Sequence, residues 1–541
     1  MASTMNMLES AIAHHQAGRL QQAEEIYRQI LQEDPSHSDA LHLLGLIAYQ
    51  VAKWDIALEL IEKAIALKPM EPLYYFHYGL VLEALKKHEE AFIAFLCSAE
   101  LDPQEPKTEK ALLRQHTENP ELLVRLGDFC FNRGRFETAE GMYRKALHHA
   151  PDYARAYNNL ASTVEQQNGP TDAVIENYLQ AIRLRPDFIE AYYNLGVVFL
   201  ATGCVDEAID KFKQALDIQP DYALAKVKLS EVLLLKGNYA AGWNGYHARL
   251  NLPGWDRIYP HVHEKPMWDG SSFHGKRLLI HGEQGFGDTI QFIRYLPMVK
   301  SLGGTVIFET RKPILGLFNH FPGIDELRER VAEDIRHFAF DLYIHTLSLP
   351  GIFNTTLETI PSQIPYIYPD LQKVDGWKDH LKKDGFKVGL VWAGSPEHKN
   401  DRNRSCALTH FLPLADIPGV YFYGLQKGDA ASQIKTVEGR MPVINIGDDF
   451  KDFTDTAGAI ANLDLVISVD TAMVHLAGAM GKRIWTLIPY APDWRWMLNR
   501  IDTPWYPTMK LFRQPTPGDW DSVFGQVKDA LSSLVHSGGK E

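Results

Sequence analysis

Residues 35–69, PSHSDALHLLGLIAYQVAKWDIALELIEKAIALKP, contain the unit from which the first half of the chain is built. The stretch starts and ends on proline 34 residues apart, Pro103 follows after another 34, and Pro151, Pro186 and Pro220 follow at 48, 35 and 34. Ala23, Ala57, Ala91, Ala139, Ala173 and Ala208 keep the same beat, and a large residue stands four or five places after each: Tyr27, Ile61, Phe95, Tyr143, Tyr178 and Phe212. Gly45, Gly79, Gly127 and Gly196 recur upstream. Such a unit reads as two antiparallel helices. Small residues let the helices approach, the aromatic fills the seam with the next hairpin, and proline ends the second helix. The spacing predicts six full units and a partial seventh over Tyr222–Arg249, where Gly242 replaces the alanine. The 48-residue interval is one unit plus 14, so residues 104–117 (QEPKTEKALLRQHT) are an insert expected to bend or break the array.

A 34-residue period with these small and aromatic positions resembles the tetratricopeptide repeat. Solenoids of that kind offer a groove for an extended or helical peptide. Asn159 and Asn194 share one position on the first helices of successive units. A side-chain amide both donates to and accepts from a peptide backbone. In protein O-GlcNAc transferases, which the array resembles, an asparagine ladder of this type holds the acceptor chain. The other reading is that asparagine is merely common there; His77, Arg125 and Lys228 occupy the position in other units.

The chain has 541 residues, too many for one core, and 45% of them are hydrophobic, 23% charged and 11% aromatic, as in a globular multidomain protein. A formal net charge of -13 argues against a nucleic-acid binder. Cys97, Cys130, Cys204 and Cys406 lie far apart, which makes a disulfide framework or cysteine zinc site unexpected and fits a cytoplasmic protein. No apolar run reaches the roughly 18 residues of a membrane span, so no stable membrane insertion is expected.

From about Pro266 the pattern changes to short apolar runs alternating with helical stretches: residues 277–282, 305–310, 341–346, 388–394, 420–425, 442–447, 464–470 and 483–489. Eight such strands imply parallel sheets covered on both faces. The long interval 347–385 suggests two doubly wound α/β lobes with ligands bound outside the strand C-termini. The expected division is a repeat array over 1–250, a linker over 251–269, and lobes over 270–385 and 386–541.

Three strand-end loops hold the polar candidates. In HGEQGFGDTIQFIRYLP (281–297), the glycines do not fit a dinucleotide fingerprint; Asp288 reads either as the N-cap of its helix or as a carboxylate facing the cleft. In WAGSPEHKNDRNRSCALTHFLPL (392–414), Ser395, Lys399, Arg402 and Arg404 read as a phosphate-neutralising set or as a solvated basic loop. In ISVDTAMVHLAGAMGKRIWTLIP (467–489), Asp470 ends a strand, and Thr471, Ala472 and Met473 open a helix whose N–H groups suit a phosphate. His475 reads as a packed residue or a ligand. Gln426 and Lys427 are placed to meet a nucleoside. Glu283, Gln284, Asp493, Trp494 and Arg495 are candidates for a sugar pocket, and Trp494 and Trp496 read equally as packing.

These loops, in this order, resemble the two-lobed (GT-B) glycosyltransferases, above all the ADP-heptose:lipopolysaccharide heptosyltransferase family. The likeness rests on Gly287-Asp288 with Pro297, and on Val469-Asp470-Thr471 with His475-Leu476-Ala477. Together with the upstream array and the segments 237–250, 266–297, 490–500 and 504–514, the chain looks like bacterial fused proteins that glycosylate proteins, flagellin glycosyltransferases among them. The resemblance implies Asp288 as general base and Asp470 to Met473 as donor-binding; Lys399 follows the family's phosphate segment only loosely. It implies an inverting transfer from a nucleotide sugar to a protein captured by the array. No DxD motif ends a strand, so no metal or other cofactor is expected. Alternatives are a non-catalytic scaffold and an enzyme acting on a glycan or lipid-linked acceptor. The donor is either a nucleoside diphosphate sugar or a CMP-activated nonulosonic acid.

Overall fold

The computed structural model describes all residues except 1, 115–116, 256–264, 332–338, 382–383, 399 and 539–541. An all-helical tetratricopeptide solenoid is followed by an α/β region with two parallel sheets. By compactness the chain divides into Met1–Ala191 and Tyr192–Glu541, inside the repeat array rather than at its end near 250.

The first unit holds α1 (Ala2–Gln16) with α2 (Leu20–Glu33), α3 (Ser38–Gln50) with α4 (Trp54–Leu67), and α5 (Pro72–Ala84) with α6 (His88–Leu101). The extra helix α7 (Pro106–Arg114) comes next, then α8 (Pro120–Asn132) with α9 (Phe136–His149), and α10 (Ala154–Asn168) with α11 (Asp172–Leu184). Three of these hairpins close with a ring or branched side chain of the second helix lying on a glycine of the first. A Cβ at Gly45, Gly79 or Gly127 would stand 2.7, 2.7 or 2.5 Å from Ile61, Phe95 or Tyr143, so the large residue packs within its own hairpin. The alanine beat is fully buried at Ala23, Ala57, Ala91 and Ala139. Ala173 departs from it: it is exposed, and Val174 takes the buried place four residues before Tyr178. The turn there has the usual three residues (169–171); the first helix, α10, is longer, with 15 residues against 13 in α8, and this moves the register by one.

The insert does not interrupt the core. Leu112 of α7 joins one hydrophobic cluster with Phe92 and Phe95 before it and Leu126 and Phe129 after it. Glu109 pairs with Arg133 at 2.8 Å and with Arg135, tying α7 to the following hairpin.

The second unit begins within α12 (Ile189–Ala201), which is followed by α13 (Val205–Ile218), α14 (Ala223–Leu235) and α15 (Tyr239–Tyr246). Gly196 repeats the close approach, 2.6 Å from Phe212, and Gly242 packs against Leu234. The strands β1 (Arg277–His281), β2 (Thr305–Thr310), β3 (Glu326–Glu329) and β4 (Leu342–His345) form a parallel sheet in the order β3-β2-β1-β4. The second sheet contains β5 (Phe386–Val391), β6 (Val420–Gly424), β7 (Val443–Asn445), β8 (Leu465–Val469), β9 (Ile484–Ile488) and β10 (Met509–Arg513). Its order, β10-β9-β8-β5-β6-β7, is that of two mononucleotide-binding halves meeting between β5 and β8.

Against the expected eight strands there are ten among the described residues. Both additions are edge strands. ELRE (326–329) has a single apolar residue and is half-exposed, while MKLFR (509–513) has its apolar residues interrupted by Lys510 and ended by Arg513. Neither has the continuous apolar run that marks the fully buried β8 and β9.

Candidate active site

The ends of β1, β5 and β8 open onto one cleft of about 1480 Å³. Topology brings them there: β5 and β8 flank the switch point of the second sheet, where the connections diverge and leave a crevice. Of the sequence candidates, Gln284, Asp288, Ser395, Arg404, Gln426, Lys427, Asp470 to Met473, His475, Asp493 and Arg495 line it.

Asp288 is not an N-cap. The helix α16 (Phe286–Phe292) starts earlier, Gly285 is its N-cap, and Asp288 is the third helical residue, accepting the Gly285 N–H at 2.7 Å. Its other oxygen pairs with Arg495. Arg495 also holds Asp493 at 2.9 Å and the Gln291 amide oxygen at 2.7 Å, and its guanidinium lies 4.3 Å over the Trp494 ring. Burial raises the Asp288 carboxyl above its ordinary range, against the opposing pull of Arg495 and the Gly285 N–H. For Arg495 burial works against the charge, but Asp493 and Asp288 outweigh it.

On the opposite wall Thr471 caps α17 (Ala472–Ala479), its hydroxyl accepting the Met473 N–H at 3.3 Å. Helix N–H groups therefore point at the cleft beside Asp470, whose carboxyl is pushed up to about 6 by burial and by Asp493. His475 is buried, bonded to the Tyr506 hydroxyl at 3.0 Å and stacked on Trp496. Burial holds it neutral, with Arg495 and Arg294 adding to the effect. Its ring also explains Gly287: a Cβ there would sit 2.6 Å from the imidazole Cδ2. That glycine serves the close approach of α16 to α17.

Gln426 is buried, its amide oxygen accepting the Trp392 and Ala393 N–H groups at 3.2 and 3.0 Å, so it shapes the β5 loop from within. Lys427 is exposed at the rim and donates to the Phe450 carbonyl. The basic loop is only partly in the cleft. Arg404 lines it and pairs with Asp401 at 3.3 Å, Arg402 is exposed and not part of the cleft lining, and Lys399 lies outside the described residues.

Two sugar-pocket candidates are elsewhere. Glu283 is buried in an ion pair with Arg249 at 2.7 Å and accepts the Leu347 N–H at 2.8 Å. Trp494 is packed among Trp243, Tyr246, Phe292 and Trp505. In the array, Asn159 donates to Asp128 at 2.6 Å, and Asn194 is half-buried on α12. Among the described residues no cluster of three His, Cys, Asp or Glu side chains is arranged to hold a metal ion.

Arg311 was missed. It lines the cleft, lies 4.0 Å over Phe286 and donates to the Gln284 carbonyl at 2.8 Å. Its signal was positional, a basic residue directly after the C-terminal end of β2. Gln284 itself adopts φ +54°, a conformation costly for a side-chain-bearing residue, at the tip of β1.

The tetratricopeptide-repeat family matches residues 42–106, 120–163 and 189–222, and a further repeat match covers 167–203. Residues 42–222 therefore carry tetratricopeptide repeats. It is 29% identical over 430 residues to Protein FlbA of Caulobacter vibrioides, covering 73% of this chain and 70% of FlbA. Such coverage exceeds what the array can supply, so the likeness extends into the α/β region. It is 26% identical over 148 residues to Protein O-mannosyl-transferase TMTC3 of Mus musculus (27% of this chain, 16% of that protein). A peroxisomal targeting signal receptor of Kluyveromyces lactis is 24% identical over 34% of this chain and 37% of its own length. The chain thus spans well under half of these last two relatives. Among solved structures, the tetratricopeptide protein YrrB matches 37% of this chain and 95% of its own at 18% identity and a TM-score of 0.21. No helix among the described residues is long and apolar enough to cross a membrane.

Proposed function

We propose that the protein is a glycosyltransferase that moves a sugar from a nucleotide-activated donor to a polypeptide captured by the repeats, flagellin being one candidate acceptor. The observation that carries this is the convergence, in one cleft at strand C-termini, of the Asp288 carboxylate with the Thr471-capped helix N-terminus and Arg404. The names of FlbA's fellow relatives, a protein O-mannosyl-transferase and a targeting-signal receptor, favour a polypeptide acceptor. The division of labour supports a GT-B arrangement, with the first lobe (270–385) on the acceptor side and the second (386–541) on the donor side.

In the reaction, Asp288 takes the proton of the acceptor hydroxyl as its oxygen bonds to the anomeric carbon. The bond from that carbon to the donor phosphate breaks on the opposite face, and its electron pair leaves on the phosphate. The α17 N–H groups and Arg404 hold the growing negative charge. Arg495 holds one Asp288 oxygen and the Gly285 N–H holds the other, and one of these two contacts must loosen for the proton to arrive. Gln426 orders the β5 loop around the nucleotide, and the protein acts in the cytoplasm where nucleotide sugars are made.

The test is nucleotide release from a panel of UDP-, GDP-, ADP- and CMP-sugars with an unstructured peptide mixture as acceptor. Asp288→Asn should lower kcat by roughly 10²–10⁴-fold while leaving product-nucleotide stabilisation of the fold in place. A second reading, a non-catalytic scaffold, is favoured by one observation: both Asp288 oxygens are already engaged, by Arg495 and by the Gly285 N–H. Tight peptide binding without turnover of any donor would establish it instead.

A further inference from the structure

The two groups that grip Asp288 are each one step from the last repeat hairpin. Arg495 rests on Trp494, and Trp494 is met edge-on by Trp243 of α15 at 5.3 Å and 90°, with Tyr246 at 6.2 Å. Trp243 is fixed in turn by its indole N–H, which donates to the Thr355 carbonyl at 3.1 Å. On the other side, Gly285 follows Glu283 by two residues, and Glu283 is clamped by Arg249, in the turn that leaves α15. That clamp is a buried fork, Nη2 to Oε1 at 2.7 Å and Nε to Oε2 at 3.2 Å, with Arg249 also donating to the Tyr246 carbonyl and the Ser348 hydroxyl. The Arg249 and Glu283 side chains are 2% and 0% exposed, so the pair is insulated from water and its geometry is stiff.

From these two lines of contact we infer that the terminal hairpin is a positioning element of the candidate catalytic pair. Trp243 sets Arg495 through Trp494, and Arg249 sets the β1 loop, and with it the Gly285 N–H, through Glu283. The inference rests on the proposed transferase reading. It makes Trp243 and Arg249 positioning residues in what the sequence presents as a binding module. A hairpin serving only to cement the domains would bury the same rings without needing a charged fork on the loop that precedes Asp288.

The test uses the full chain with Arg249→Lys, which keeps the charge and loses the fork, and Trp243→Leu, which keeps burial and loses the ring. Transfer rates against pH are read together with product-nucleotide thermal shifts. Asp288 ionisation is followed by ¹³C-carboxyl titration, assigned by difference from Asp288→Asn. Each variant should lower kcat by roughly 10–100-fold, as expected for a misplacement of about 1 Å, with donor KM and nucleotide shift within about twofold. The Asp288 titration and the acid limb of kcat should both move to higher pH, because the carboxylate has lost part of its stabilising contacts. An unmoved Asp288 titration in both variants overturns the inference, whatever happens to Tm. If either variant fails to fold, Trp243→Phe, the milder change, is read by the same titration. Failure of the transferase reading is separate: it appears as absent turnover in the unaltered chain or full activity in Asp288→Asn, while the titration still decides the positioning.

Discussion

Glycine is cleared for a ring in two regions of this protein, and the comparison separates what is local from what is not. In the array, Gly127 accommodates Tyr143 and Gly79 accommodates Phe95, each pair 16 residues apart. In the cleft, Gly287 accommodates His475 across 188 residues. The contact is the same kind of close approach, with a Cβ excluded at 2.5–2.7 Å in each case. The first kind recurs on a fixed beat and belongs to one hairpin. The second joins residues far apart in the chain and exists only because the fold puts α16 against α17. A repeat array distributes its stability over many equivalent contacts, whereas the cleft concentrates its geometry in a few unlike ones.

The sharpest way to break that comparison is to fill both glycines. Gly287→Val should push the His475 ring, shift α16 with Asp288, and lower kcat by about 10²-fold, because positioning is sensitive to about 1 Å. Gly127→Val should cost stability, about 1–3 kcal/mol from overpacking, measured as a lower urea midpoint. Turnover of donor with a small acceptor should stay within twofold in that variant. Equal losses of turnover in the two would erase the distinction. A smaller effect comes from the helix cap: Thr471→Ala should cost about 1 kcal/mol and weaken product-nucleotide stabilisation.

The pH dependence of Asp470 sharpens the cleft side further. Its folded carboxyl is raised to about 6 from an ordinary value of 3.8. The folded state therefore holds the proton more tightly than the unfolded one. This contribution to stability is complete below about 3.8 and is lost as pH rises through about 6. Asp470→Asn should accordingly raise Tm relative to the parent at pH 8, with the gain vanishing near pH 4. A pH-independent difference would refute the assignment. Smallest of all, Arg402→Ala should change stability by less than about 0.5 kcal/mol and turnover by less than twofold, since the side chain is exposed and not part of the cleft lining.

Legibility followed the range of the contacts. The seven hairpins, the Gly242 substitution and the insert over 104–117 could be read because each unit repeats the same local chemistry. The misplacement at Ala173, where Val174 is the buried residue, shows the resolution of that reading: one residue, where a first helix lengthens. Strands with long apolar centres were legible; the edge strands 326–329 and 509–513 were not, because the first is half-exposed and has one apolar residue, and the second is cut short by Lys510 and Arg513. At the site, the three loops were visible as strand ends, but the partners of their residues were not. Nothing near Glu283 in sequence indicates Arg249, and nothing near Asp288 indicates Arg495.

By itself, then, the sequence determined the repeat architecture, the alternation of strand and helix, and which loops lie at strand C-termini. Those follow from periodicity and local propensity, which act over tens of residues. Only the tertiary structure decided which charges meet: that Asp288 is held by Arg495, that Glu283 is locked away by Arg249, and that Arg311 rather than Arg402 lines the cleft. Electrostatic partners are selected by distance in space and by exclusion of water, and neither is encoded in the spacing of residues along the chain.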